Sequence, residues 1–313
     1  SRKADLYFRW MTAACAAVIL VIMAGIFVEL VSKSWLSIQR FGWAFLGSRE
    51  WNPVAEEFGA LPSIYGTLVS TVVAMVLAVP MALLIALFLV ELAPPQIGHP
   101  VGVAIELLAA VPSIIYGMWG LFVFSPYMAD HIQPFLNETV QPILDRVFFG
   151  YLPLFEGAPI GIGMLTAGII LALMILPFMT AITRDVLRMV PPVLKESAYG
   201  MGSTTWEVTW KVSIPYGIHG IIGALFLGLG RAIGETMAVT FVIGNTPILS
   251  GSLLDAGQSI ASTLANEFAE ASEPLYLSAL IELALILFLL TFVIQIASHL
   301  WLKRVSRHLE GRG

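Results

Sequence analysis

Six stretches of this chain, at about 10–31, 65–90, 101–124, 159–183, 216–244 and 276–302, are predominantly apolar throughout. A hydrocarbon core about 30 Å thick is crossed by about 20 helical residues. Inside it every backbone N–H and C=O must find a partner within its own segment or its neighbours. These lengths therefore predict an all-α, polytopic membrane protein with about six transmembrane helices, built as a single domain over 1–313. Only 12% of the 313 residues are charged and 58% are hydrophobic, against roughly 25% charged in soluble domains. Such a surface suits lipid rather than water. Several stretches exceed the minimum span, which allows tilt or interruption, and Pro80, Pro112 and Pro177 lie inside them. The first stretch is long enough to span and lacks a small-residue cleavage site, so no cleavable signal is expected. Cys15 is the one cysteine, which excludes an internal disulfide and a cysteine-based metal site.

Basic residues set the expected orientation. With the N-terminus inside, the inner segments carry Arg2, Lys3, Arg9, Arg184, Arg188, Lys195, Lys211, Lys303, Arg304, Arg307 and Arg312, and the outer segments carry Lys33, Arg40, Arg49 and Arg146. Eleven against four places both termini and the loop at 184–215 in the cytoplasm. The outer segments hold eleven acids, from Glu50 to Glu273, for a net charge near −7. That excess reads either as a solvated surface or as a docking face whose charge guides encounter. With a whole-chain charge of −5, the expected surroundings are lipid, and no nucleic-acid partner is expected.

Residues 32–62 hold Trp35, Phe41, Trp43, Phe45, Trp51 and Phe58, a composition that predicts a segment lying along the outer interface. Residues 125–158 carry Ile132, Phe135, Leu136, Val140, Ile143, Leu144, Val147 and Phe148 at near-helical spacing, which reads as an interfacial or lid-like amphipathic helix or as scaffold packed against the spanning helices.

Arg231 is the basic residue deepest within an apolar stretch. A central arginine costs about 2.5–3.5 kcal/mol on insertion scales, so it must face protein or a water-filled path. Glu235 follows four residues later, on the same face of a continuous helix. The pair reads either as an internal ion pair or as a guanidinium fork for an oxyanion, oriented by Glu235. Thr236, Glu106 and the run Pro112-Ser113-Ile114-Ile115-Tyr116-Gly117 are further pathway candidates, the last as a simple kink or as exposed backbone lining a cavity. Glu29 and Glu282 are the other carboxylates in or near the spans. Gly230-x-x-x-Gly234 reads as a close helix-packing motif. No G-x-x-x-x-G-K-[ST] occurs and none of the five lysines follows a glycine, so ATP hydrolysis by this chain is not expected. A membrane enzyme using Glu106, Glu235 or His299 as acid or base lacks any ordered nucleophile, metal cluster or cofactor loop. No catalytic or metal-binding residue is assigned.

Between the fourth and fifth stretches stand Glu196-Ser197-Ala198, then Gly202, then nine residues, then Val212-Ser213-Ile214-Pro215. This resembles the EAA loop of ATP-binding-cassette (ABC) importer permeases. Trp51-Asn-Pro through Tyr65-Gly-Thr, Glu91-Leu-Ala-Pro94, Glu106 through Gly117 and Gly230-Arg-Ala-Ile-Gly-Glu-Thr-Met-Ala238 are similar to the PstC-type permeases of bacterial phosphate importers. The resemblance runs from about residue 10 to 305. It implies the type I ABC importer permease architecture, a bacterial inner membrane location and a phosphate path lined by Arg231, Glu235, Thr236, Glu106, Ser113 and Tyr116. Implied partners are a PstA-type second permease, a PstB-type ATPase dimer that carries the ATP and Mg, and an external PstS-type phosphate-binding protein. Glu196, Ser197, Ala198, Gly202 and Pro215 would then belong to the coupling loop, with Glu196 anchoring the start of its helix and Gly202 permitting close backbone contact. A permease for molybdate or sulfate and a passive anion channel are the alternatives; the channel leaves the EAA-like loop unexplained.

Overall fold

A computed structural model describes residues 2–148 and 153–310. Its helices are α1 (Arg2–Phe41), α2 (Leu61–Leu92), α3 (Pro95–Ala109), α4 (Ser113–Val147), α5 (Met164–Arg188), α6 (Pro192–Gly200), α7 (Thr205–Ile233), α8 (Met237–Thr240), α9 (Ile260–Glu267) and α10 (Pro274–Glu310). Among the described residues, α1, α2, α5, α7 and α10 are each long and apolar enough to cross a membrane, and α3 with α4, bent by 90°, counts as a sixth if the bent pair is one span rather than a re-entrant loop. The chain is thus a multi-pass helical membrane protein.

Small residues bring the two central helices together. On α2, Gly66, Ser70, Ala74, Ala78, Ala82 and Ala86 are all buried. Residues four apart share one helix face, and a stripe of small side chains lets backbones approach without a hydrophobic driving force. On α5, Gly168 meets that stripe: a Cβ there would come 2.5 Å from Val73 and 3.3 Å from the Ser70 carbonyl. Ile170, Leu171, Met174, Ile175 and Met179 of α5 fill the core around it. Then α7 closes on α5 through Gly228, where a Cβ would sit 2.6 Å from the Met179 sulfur.

Two of the expected spans are interrupted. The 101–124 stretch breaks at Ala110–Pro112, where Pro112 is extended and disfavours a helical residue before it. The 216–244 stretch ends as a helix at Ile233 and resumes only for the short α8. Gly234 terminates α7 and has no closer neighbour than the Gly230 carbonyl, at 3.7 Å. The expected Gly230/Gly234 packing pair is therefore not one: Gly230 alone lies close to another helix, near Gln295 of α10.

Residues 125–147 are not a separate interfacial helix; they continue α4. Residues 149–152 of that stretch lie outside the described residues. Within α4, π turns occupy 120–124, 128–132 and 136–140, each ending two residues before Pro126, Pro134 or Pro142. The turns at 88–92 and 209–213 stand in the same relation to Pro94 and Pro215. A proline ring clashes with the carbonyl four residues back, and one wider turn relieves the clash without ending the helix.

The aromatic segment 32–62 also differs from expectation. Rather than lying wholly along an interface, Phe45, Trp51 and Phe58 are buried in a second core with Ile260, Leu275, Ala279, Leu280 and Leu283. Trp51 Nε1 and the Tyr276 hydroxyl both donate to Glu267 Oε2 at 2.7 Å, and the Phe58 and Tyr276 rings stack at 5.4 Å. Trp35 and Trp43 remain exposed, as the interfacial reading requires. The loop before α9 is pinned to the start of α2 by Tyr65 Oη to the Ser250 carbonyl and by the Ile260 N–H to Thr67 Oγ1, at 2.8 and 2.9 Å.

Candidate functional site

The two broken spans meet. Gly117 on α4 lies so close to α8 that a Cβ would be 3.0 Å from both Ala238 Cα and the Met237 carbonyl. This seats the start of α4, with Ser113 and Tyr116, beside the α7–α8 link that holds Gly234, Glu235 and Thr236. Arg231, in the last turn of α7, lies within electrostatic reach of Tyr116. Its guanidinium stands over the Phe178 ring of α5 at 5.5 Å, a cation–π contact that preserves its charge. Arg231 is exposed on the surface of the isolated chain and makes no ion pair among the described residues.

Glu235 is not its partner. The expectation of one helix face fails because α7 ends before Glu235, and Glu235 Oε1 instead accepts from the Ala238 N–H at 3.3 Å, capping α8. The Thr236 carbonyl accepts the Thr240 hydroxyl at 2.7 Å. Glu106 lies elsewhere as well. It pairs with Arg184 of α5, whose Nη2 also reaches Asp185 Oδ1 at 2.9 Å. Gly102 leaves room for that guanidinium, and Arg184 is buried, a second deep arginine that the sequence reading had assigned to the cytoplasmic loop. Spacing alone cannot pair residues on different helices, so the Glu106–Arg184 pair is not legible in the sequence.

The Tyr116 hydroxyl donates to the Leu108 carbonyl at 3.0 Å, across the α3–α4 bend. A cavity of about 540 Å³ opens beneath that bend, lined by Ile85, Leu108, Tyr116, Trp119, Leu176 and Thr180 among others. It offers an anion little: the Thr180 hydroxyl is committed to the Leu176 carbonyl at 2.7 Å, and the Tyr116 proton is committed as above. Burying an anion there without donors would be costly. The anion-competent surface is the one carrying Arg231. Of the other acids, Glu29 pairs with Lys33 at 3.0 Å on the surface, whereas Glu282 is buried on α10 with Oε2 unpartnered among the described residues.

A second candidate surface lies around α6. Its start is Pro192, after an extended Pro191, so Glu196 lies mid-helix, exposed and without a hydrogen bond among the described residues, rather than anchoring the start. Ser197 Oγ donates to the Val193 carbonyl at 2.7 Å, and Ala198 is the one buried residue of the helix. Gly202 ends the segment with φ +87° and nothing within 4 Å of its would-be Cβ. Within this chain the need for glycine is conformational. Val193, Leu194, Tyr199, Met201 and Trp206 present an exposed apolar surface here. Thr204 and Glu207 then form a capping box at the start of α7, which a Thr-x-x-Glu pattern announces. Pro215 follows the π turn inside α7.

Residues 58–307 match the model of the family described as binding-protein-dependent transport system inner membrane component. The phosphate transport system permease protein PstC of Pasteurella multocida is 53% identical over 98% of this chain and 94% of its own length. PstC of Mesorhizobium japonicum is 51% identical over 96% and 91%. The chain belongs to the PstC family of binding-protein-dependent permeases. Two solved transporters share the fold of this permease. An inward-facing MetNI methionine ABC transporter superposes with a TM-score of 0.56 at 18% identity, over 78% of this chain and 94% of the other. A bacterial alginate ABC transporter bound to its periplasmic protein gives 0.55 at 15%, over 96% of each.

Proposed function

We propose that this permease forms half of the phosphate path of an ABC importer in a bacterial inner membrane, driven by separate ATPase subunits. The observation that carries the reading is the guanidinium of Arg231 on an exposed face of α7, without an ion pair among the described residues. A charged side chain on that face cannot rest against hydrocarbon, so the face borders water, a second permease or both. Phosphate oxygens suit a planar fork that never deprotonates, and Glu235, occupied in capping α8, leaves that fork free. The broken α3–α4 and α7–α8 spans are the kind of discontinuity at which membrane transporters place substrate.

In this reading the termini and α6 are cytoplasmic, in keeping with the excess of basic residues in those segments. The exposed apolar surface of Val193, Leu194 and Tyr199 docks on a PstB-type ATPase dimer, which holds the ATP and Mg. A PstA-type permease covers the Arg231 face, and a PstS-type protein delivers phosphate to the acidic outer end. ATP binding draws the α6 segments together and opens the path outward; hydrolysis returns it inward, each nucleotide state favouring one conformation.

The test is labelled phosphate uptake into vesicles holding this chain with its second permease and ATPase, with loaded binding protein outside and ATP inside. ATP-dependent uptake inhibited by arsenate and indifferent to sulfate or molybdate is expected. Stimulated ATP hydrolysis without phosphate uptake would overturn the substrate, and uptake without ATP would overturn the motor.

A further inference from the structure

We propose that Lys195 and Glu91 are a positioning pair that carries motion of α6 into the elbow beside Arg231, with α3 as the strut between them. The proposal rests on the reading of α6 as the ATPase docking helix. Most of α6 faces outward, and a docking helix that slid freely would transmit nothing. Lys195 Nζ reaches Glu91 Oε1 at 2.7 Å. The Glu91 side chain is 5% exposed and that of Lys195 18%. Separating them would leave a buried carboxylate uncompensated, which is far costlier than losing a surface pair. The end of α2 therefore follows α6.

The next links are geometric. Glu91 sits in the π turn at 88–92 ahead of Pro94, and α3 folds directly back on that turn: a Cβ on Gly98 would be 3.2 Å from the Leu89 carbonyl. The far part of α3 is held by Glu106 to Arg184 at the end of α5. Beyond it, Tyr116 bonds across the bend to Leu108 at 3.0 Å, and Gly117 seats α4 on α8, next to the link that follows Arg231. A helix packed at one end on the π turn that carries Glu91, fastened near the other by the Glu106–Arg184 pair and braced at its bend, can pass a displacement that a solvated loop would absorb. Coupling through such a chain is established by a pairwise energetic test rather than by proximity.

The experiment uses the assembled complex with phosphate-loaded binding protein and reads phosphate moved per ATP hydrolysed. Lys195→Met and Glu91→Gln are each expected to lower that ratio about tenfold, the change expected when one charge-assisted hydrogen bond is removed. Basal ATP hydrolysis should persist. The exchanged pair Glu91→Lys with Lys195→Glu should recover most of the ratio. Single variants with a wild-type ratio, or an exchanged pair as impaired as the singles, would overturn the proposal. Where a single variant fails to assemble, cysteines at 91 and 195 in a Cys15→Ala chain decide the matter, joined by a short bis-thiol reagent. The ratio should be high when they are joined and low when they are not, and no difference would overturn the strut. Failure of the underlying functional reading looks different, since the wild-type complex itself would then move no phosphate.

Discussion

At the scale of the residue, a charge is expensive wherever it is buried or faces lipid, and this chain uses its few charges sparingly. Arg184 is buried with two carboxylates around it, whereas Arg231 makes no ion pair among the described residues and stands over the Phe178 ring. The difference assigns them different work: the first is a structural clasp, the second is available. Arg231→Gln should therefore abolish phosphate uptake at limiting and saturating phosphate while the complex assembles with normal yield; uptake that saturates at the wild-type rate would make Arg231 a structural charge. Gly202 has the opposite character, being exposed, with nothing within 4 Å of a would-be Cβ and a φ of +87° that side chains resist. Gly202→Ala should cost roughly 1–2 kcal/mol locally, read as faster amide exchange over 192–204 with the transmembrane amides unchanged. Arg231 was legible from sequence as a candidate because a deep charge has few acceptable explanations. The partner of Glu235 was not, because a four-residue spacing implies contact only if the helix continues, and Gly234 ends it.

At the scale of the element, α4 turns a proline repeat into a polar face. Pro126, Pro134 and Pro142 recur at intervals of eight, each preceded by a buried polar residue: Ser125, Gln133 and Gln141. In an ideal helix eight residues overshoot two turns by about 80°. One π turn per repeat removes the overshoot, and the three side chains align. Gln133 Oε1 then accepts the Gly161 N–H at 2.8 Å and Gln141 Oε1 the Phe155 N–H at 2.9 Å, fastening residues 153–163 along the helix. Gln133→Leu should destabilise the solubilised protein by about 1–3 kcal/mol, because it leaves the Gly161 N–H buried and unpaired. Asn137→Ala, which removes an exposed bond to the Gly157 carbonyl, should cost less than half as much, and thermal unfolding in detergent compares the two. The eight-residue spacing is not read as a repeat in the sequence, because eight residues share one face only in a helix that averages more than 3.6 residues per turn.

At the scale of the whole molecule, the isolated chain is incomplete in a way its surface reveals. Lipid-facing positions such as Val76 and the Arg231 face are equally exposed to solvent in one copy, yet only the first can meet hydrocarbon. With Cys15 replaced by Ala, a cysteine at Met237 should react with a membrane-impermeant thiol reagent in the working complex, and a cysteine at Val76 should not. Equal labelling of the two would remove the water path from this face. Sequence by itself determined the class: apolar stretches of span length in a weakly charged chain leave helices across a bilayer as the only way to pair every backbone group. Its short motifs also located the α6 segment and Arg231. Tertiary structure alone decided which helices are broken, that Glu106 belongs to Arg184 and Glu91 to Lys195, and that Glu235 caps a helix. The physical reason is that pairing energies act through space, between side chains as far apart in the chain as Trp51 and Glu267, while spacing rules reach only one or two turns along a helix.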